Sequence, residues 1–455
     1  MIIFIKNKNS MLRKLLFIFF FLYSFTTYSQ SGFQIEKGRS KVTIPFQLIN
    51  NLIFIQVQMN GEELTFLLDT GVEETILFSL HEENQVVLNQ VEAIKLKGLG
   101  SSEAIDGYKS SGNSIKIKHL IDANHTVYVV LDSEFNFSSN VGIPVNGILG
   151  YHFFKNHLVE IDYQRKKITV YPDNSKIIQK LERKFTKDSI SIELSKPYVF
   201  KKIANKATTQ LSKLLIDTGN SDAVWIFNNQ KGKIPSSDVF FQDFLGRGFN
   251  GNVYGKRSRI DEIQFGNHRF KNVLASFPDS TSTQGVSKVV NRVGSVGGEI
   301  LSRFTIVLDY RNKAIYTKQN ISIDNPFNFN MSGIEVEHAG IEWKQNAHQF
   351  SSEGNTLSTT SDYYSTKKSG KQNLKSHFSL LPIFKITSVR PNSEAAKVGL
   401  QAQDKIIQIN NRKSSTLTIQ KIHDLLKSEE GKVINFVIER NEIKYKFKIK
   451  LRKML

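Results

Sequence analysis

The sequence predicts a mainly β protein: two related β lobes forming a pseudo-two-fold bilobal domain, followed by a small α+β domain. Three observations predict it. Apolar and polar residues alternate over long stretches, two pairs of strings recur at a nearly constant offset, and the texture changes past Ile323. A length of 455 residues is enough for about three cores. The apolar share of 40%, with 33 Phe but only 9 Pro and 28 Gly, excludes collagen-like and compositionally disordered classes.

The first 29 residues stand apart. From Met11, "MLRKLLFIFFFLYSFTTYSQ" joins Arg13 and Lys14 to a short apolar run and then to Thr27, Tyr28 and Ser29, the pattern of a secretory signal cleaved after Ser29. The run falls short of the ~20 residues that span a bilayer, so an exported chain, periplasmic or extracellular, with no stable membrane span after cleavage is expected. No cysteine occurs, which removes disulfides, lipid attachment through Cys and Cys-based metal sites or nucleophiles. The net charge of +19 comes from 61 Lys and Arg spread along the chain rather than gathered in one block, and nucleic acid is not expected as a partner.

The first lobe is read over 33–175. Its stretch "KVTIPFQLINNLIFIQVQMNGEELTFLL" (41–68) alternates as strands do, and Asn60-Gly61 supplies a hairpin turn. "NSIKIKHLIDANHTVYVVLD" follows the same pattern. Polar "PDNSKIIQKLERKFTKD" (172–188) is the expected connection to a second lobe over 185–320, in which "RIDEIQFGNHRFKNVLASF" turns at Gly266-Asn267.

The lobes repeat each other. "LLDTGVEETILF" (67–78) resembles "LIDTGNSDAVWIF" (215–227), and "GILGYHFFKNHLVEIDYQRKKITVY" (147–171) resembles "GSVGGEILSRFTIVLDYRNKAIYT" (294–317). Gly147, Gly150, Asp162 and Tyr163 match Gly294, Gly297, Asp309 and Tyr310 at an offset of 147, and Asp217 follows Asp69 by 148. An ionised carboxylate at the end of a buried strand is costly unless paired, hydrogen-bonded or neutralised. Two such loops from related halves, meeting at a two-fold axis, would bring two carboxyls into contact. They would then share one proton, with one apparent pKa raised and the other lowered. Such a pair can activate a water and protonate a carbonyl oxygen without cofactor or metal.

These residues resemble the aspartic proteases, pepsin-like in carrying two lobes on one chain and retropepsin-like in compactness, over roughly residues 33–320. The resemblance rests on Asp69-Thr70-Gly71 and Asp217-Thr218-Gly219, with two apolar residues before each aspartate. It implies that Asp69 and Asp217 are catalytic, and that Thr70 and Thr218, with Gly71 and Gly219, support the two loops. It also implies that Ile148-Leu149-Gly150 and Val296-Gly297 thread beneath them. Ser295 stands where an apolar residue is usual. Val72 and Asn220 occupy the place where a pepsin-like site has Ser or Thr. The resemblance places a substrate-covering flap in "KGLGSSEAIDGY" (97–108), with "LGRGFNGNVYG" (245–255) as its second-lobe equivalent. Gly246, Gly248 and Gly251 spell G-x-G-x-x-G, but their flanks are strand-like and lack a βαβ unit, so no dinucleotide is expected.

The third domain is read over 328–453. A polar, Ser-, Thr-, Lys- and Asn-biased loop is expected at about 344–377. "FKITSVRPNSEAAKVGLQAQDKIIQINN" (384–411) predicts strand, short helix capped by Ser393 and stopped at Gly399, then strand. "TIQKIHDLLKS" (418–428) has helical spacing, and "VINFVIERNEIKYKFKIKL" (433–451) reads as a hairpin. This order resembles a bacterial PDZ domain, which implies that a peptide adds as a strand beside the second helix, with "MSGIEVEH" (331–338) as its loop and strand. Gln403 and Asn411 occupy places where that family commonly has glycine.

The resulting expectation is an exported aspartic endopeptidase, monomeric for catalysis, with polypeptide as substrate and a peptide ligand for the PDZ-like domain. The alternative is a catalytically inactive envelope scaffold that binds peptides through that domain.

Overall fold

The computed structural model describes residues 32–78, 86–97, 104–130, 137–172, 175–227, 234–248, 251–280, 289–348 and 375–455. The signal segment lies outside them, as do residues 98–103 of the first expected flap and 349–374 of the polar insertion. Among the described residues, no helix is long and apolar enough to cross a membrane.

In the first lobe, strand Leu52–Met59 turns at Asn60-Gly61, both at positive φ, and returns as Glu62–Leu68, which ends beside Asp69. The chain then rounds a loop and re-enters the sheet as Thr75–Leu77. Gly147–Leu149 inserts between these two strands, parallel to the first (Gly147↔Phe66, Leu149↔Leu68) and antiparallel to the second (Gly147↔Leu77). The second lobe repeats the arrangement. Arg292–Val296 runs parallel to Thr208–Ile216 and antiparallel to Val224–Ile226. Short runs of consecutive apolar residues in these strands, such as Phe66-Leu67-Leu68 and Leu214-Leu215-Ile216, are buried on both faces, as a central strand requires.

A shared sheet joins the lobes. Leu158–Asp162 pairs antiparallel with Phe304–Asp309, Leu158 opposite Asp309 and Asp162 opposite Thr305. At the centre, Glu160 faces Val307, its own equivalent at the 147-residue offset, so the pseudo-two-fold axis passes through that pair. Lys167–Tyr171 and Val42–Pro45 extend this sheet on one side, and Ala314–Gln319 and Thr186–Glu193 extend it on the other. Phe153, Phe154, Phe304 and Tyr310 fill the core beneath, each worth about 1.5–3 kcal/mol of burial. The polar connection is helical over Ser175–Glu182, and strand Thr186–Glu193 begins inside the stretch read as a linker. Exposed Lys187 and Ser189 alternate with half-buried Thr186 and Asp188, and pairing to Ala314–Gln319 supplies the order that composition alone did not reveal.

The C-terminal domain pairs Ile334–His348 with Lys375–Val389, then adds Lys405–Ile409, Val433–Arg440 and Ile443–Lys450. The first hairpin runs outward to His348 opposite Lys375, so residues 344–348 and 375–377 are strand rather than loop. Polar composition does not prevent a backbone ladder from closing. Helix Glu394–Val398 is capped by Ser393 Oγ, which accepts from Ala396 N at 3.2 Å, and ends at Gly399 with φ 89°. Helix Ile419–Leu426 is capped by Thr418 and buries Ile419, Ile422 and Leu426. Gln403 and Asn411, non-glycine residues at family glycine positions, both adopt positive φ (72° and 64°).

This domain is docked on the lobes. Asn50 N donates to Gln420 Oε1 at 2.6 Å, and Asn50 Oδ1 lies 3.0 Å from His423 Nδ1. Arg390 bonds Asp243 of the second lobe at 2.7 Å, and Asp243 also binds Arg257 at 2.8 Å, all three side chains being buried. Helix Phe137–Val141 of the first lobe rests against the strand beginning at Ile334 and the helix Ile419–Leu426; a Cβ on Gly142 would stand 2.9 Å from Ile419 Cγ2.

Candidate active site

Each aspartate is held at its strand end by the segment threaded beside it: Asp69 N donates to Leu149 O and Asp217 N to Val296 O, both at 3.0 Å. Close approach requires the glycines that follow. A Cβ on Gly150 would run into the carbonyl of Val72, and one on Gly297 into the carbonyls of Asp222 and Asn220. Ile148 and Leu149 are buried in the same passage, as is Val296 in the second lobe.

The two loops are cross-linked by hydroxyls. Thr70 Oγ1 donates to Ile216 O at 2.7 Å, and Thr218 Oγ1 donates to Leu68 O at 2.9 Å. Each threonine's backbone N–H donates to the other's Oγ1 at 3.0 Å. Both threonines are fully buried. Gly71 N donates to Asp69 Oδ1 at 2.6 Å. A Cβ on Gly71 would stand 3.0 Å from an oxygen of each aspartate, so the two carboxyls converge on one point. Burial, and then the charge of Asp217, push Asp69 up to about 7; burial likewise raises Asp217, against the opposing field of Arg292 and Lys196. Titration belongs to the pair.

The pair opens into a cavity of about 840 Å³ that runs between the lobes to the C-terminal domain, reaching Gln420, His423 and Lys427. Phe244, Leu245, Gly246 and Val253 of the second-lobe hairpin line it. The first-lobe hairpin pairs Val91–Lys97 with Ala104–Ile117, and its tip is outside the described residues.

The positions after the two glycines take on different roles. Val72 is apolar, and Asn220 sends its Nδ2 to Ser295 Oγ at 3.2 Å while its Oδ1 accepts from Asp222 N at 3.0 Å. Ser295, which departed from the apolar pattern, is thus the partner of Asn220. Asp222 is anchored by Trp225, Ser276 and Arg257, which together hold its carboxyl low although burial acts to raise it. In the first lobe, Thr75 Oγ1, His125 and Asp122 form a hydrogen-bonded chain with two 2.7 Å links. It mimics a nucleophile relay, yet all three are buried and the chain ties strand Thr75–Leu77 to Leu120–Val130. Among the described residues, no group of three or more His, Asp or Glu is placed to hold a metal ion.

A family model described as "Aspartyl protease" matches residues 55–153, and a PDZ domain model matches residues 385–440. The chain carries an aspartic-protease-like domain and a separate PDZ domain. The chain is also similar to the crystal structure of the aspartic proteinase from Irpex lacteus, at 13% identity and TM-score 0.41, over 63% of this chain and 99% of that one. None of the curated proteins compared with it matches. The protease-like match covers the first aspartate and its threaded segment, and the PDZ match covers the two helices and the strand Val433–Arg440.

Proposed function

We propose that this protein is an exported aspartic endopeptidase whose Asp69 and Asp217 activate a water for peptide hydrolysis, with the PDZ domain binding polypeptide. The observation that carries the reading is the convergence of the two carboxyls under the reciprocal threonine hydrogen bonds. The ionised member takes a proton from water as the water oxygen bonds to the scissile carbonyl carbon. The protonated member gives its proton to the carbonyl oxygen. The carboxyls then reverse roles, a proton passes to the amide nitrogen, and the C–N bond breaks. Both aspartates come from one chain, which supports catalysis by the monomer. The basic, apolar and small-residue order of Met11–Ser29 supports export.

The test is to incubate the mature chain and its Asp69→Asn and Asp217→Asn variants with an unfolded protein. Cleavage by the parent and its loss in both variants is expected. Equal cleavage in all three, or cleavage in none, would overturn the assignment and favour a peptide-binding scaffold.

A further inference from the structure

The pseudo-symmetry shows where the two walls of the cavity stop being equivalent. Asn50-Asn51 and Leu194-Ser195 are matching turns, both residues of each at positive φ (49° and 64°; 47° and 60°). Each reaches across to the opposite aspartate loop: Asn51 Nδ2 donates to Ser221 O at 3.0 Å, and Ser195 Oγ donates to Glu73 Oε1 at 2.8 Å. The residue after each turn lines the cavity. In the first lobe it is Leu52, and in the second it is Lys196. By the 147-residue offset, Val145 of the first lobe corresponds to Arg292 of the second.

Leu52 and Val145 belong to an apolar cluster with Leu67 and Ile148. Their counterparts make the opposite wall cationic. Arg292 is buried, its Nε donates to Gly294 O at 3.2 Å, and its guanidinium lies 5.0 Å from the Phe227 ring centre. Lys196 is half-buried in the fields of Asp69, Asp217 and the exposed Glu73, whereas nearby Lys213 is ion-paired with Glu193. A dyad holding one proton carries one negative charge. Lys196 brings a positive charge to the cavity surface where the first lobe has Leu52, and Glu73 is exposed and screened by solvent, so a substrate carboxylate entering there meets a cation at short range.

Resting on the endopeptidase reading above, we propose that the cavity selects peptides with an acidic side chain, Asp or Glu, on the second-lobe side of the scissile bond and an apolar residue on the first-lobe side. Lys196 is the residue that meets the substrate carboxylate. A charge-assisted hydrogen bond of this kind corresponds to about ten- to a hundredfold in rate.

The test uses the full mature chain and C-terminally amidated peptides that differ only in Glu, Gln, Leu or Lys at each residue flanking the cleaved bond. Each is read as kcat/KM with the cut placed by mass, and binding of the same peptides to the Asp69→Asn variant is read in parallel. The expected result is a Glu-over-Gln preference of about tenfold or more on one flank only, falling to near unity in Lys196→Met and inverting toward Lys-bearing peptides in Lys196→Glu. Equal rates for Glu and Gln in the parent, or a preference that survives Lys196→Met, would overturn the proposal. A peptide with Gln at both flanks and a free terminal carboxylate is the control for a chain-end specificity; its preferred cleavage at the terminus would also overturn it. If no peptide is cut, the endopeptidase reading fails, and the binding ratio of Glu to Gln peptides still decides whether this wall selects an acidic side chain.

Discussion

Thr70 and Thr218 exchange hydrogen bonds across the lobe boundary, each hydroxyl accepting the other's backbone N–H and donating to the carbonyl two residues before it. Thr218→Val keeps the shape and removes the hydroxyl, stranding the N–H of Thr70 and the carbonyl of Leu68. The expected cost is about 1–3 kcal/mol in a urea melt. Thr218→Ser should restore most of it. Because the hydroxyl sets the spacing of the loops, kcat should fall with the stability, and Ser should rescue both.

Gly219 lies against the opposite aspartate. A methyl there would collide with the Asp69 carboxyl rather than with flexible surface. Gly219→Ala is therefore expected to lower kcat by about a hundredfold through displacement of one carboxyl, with circular dichroism unchanged.

The pH profile follows from the raised pair. Hydrolysis needs one proton on the dyad, and burial with the Asp217 charge pushes Asp69 up to about 7, so activity is expected to fall as pH rises through that value. Lys196 favours the ionised carboxyls. Lys196→Met removes that support and raises the dyad pKa, moving the alkaline limb to higher pH. A limb that moved lower, or stayed fixed, would contradict this electrostatic account.

Two other carboxyls make stability depend on pH. Glu299 of the second lobe and Glu335 of the PDZ domain are raised from 4.5 to about 7, chiefly by burial at the cavity wall. An acid whose folded pKa lies above its unfolded one stabilises the native state below the unfolded pKa, and that contribution is lost as pH rises through the folded pKa. Their contribution to the melting temperature should therefore decline between about 4.5 and 7, and Glu299→Gln with Glu335→Gln should flatten that decline.

One ionic contact between the second lobe and the PDZ domain centres on Asp243, shared by Arg257 and Arg390. Arg257 retains Asp222 if Asp243 is neutralised, at 3.0 Å, but Arg390 loses its ion pair. Asp243→Asn is expected to destabilise by about 3–5 kcal/mol. Removing Arg390 as well, as Arg390→Met, should recover part of that, because the stranded charge disappears; calorimetry of the single and double variants measures both.

Much of the architecture was legible because it is written locally. Asn60-Gly61 marks a hairpin, Ser393 and Gly399 bracket a helix, and the recurring Asp-Thr-Gly and glycine strings reveal the duplication. What escaped depends on residues that meet only through folding. Asn220 and Ser295 are 75 apart in the chain, and each looked like a departure until paired. Asp243 and Arg390 are separated by 147 residues and belong to different domains. Lys196 and Arg292 were hidden in a general surplus of basic residues. Aligning the turns Asn50-Asn51 and Leu194-Ser195 would have exposed them, since the residue following each should have been apolar. The strand ends at His348 and Lys375 were lost for a different reason: a backbone ladder needs no apolar side chains, so composition there carries no trace of it.

The most direct test of the dyad is its energetic coupling. In single-turnover cleavage of one peptide, Asp69→Asn and Asp217→Asn should each lose on the order of 10²–10⁴-fold in rate, and the double variant should lose no more than the worse single one, because either change alone disables the shared proton. Losses that multiply in the double variant, or near-parent activity in either single variant, would show that the two carboxyls do not act as one unit.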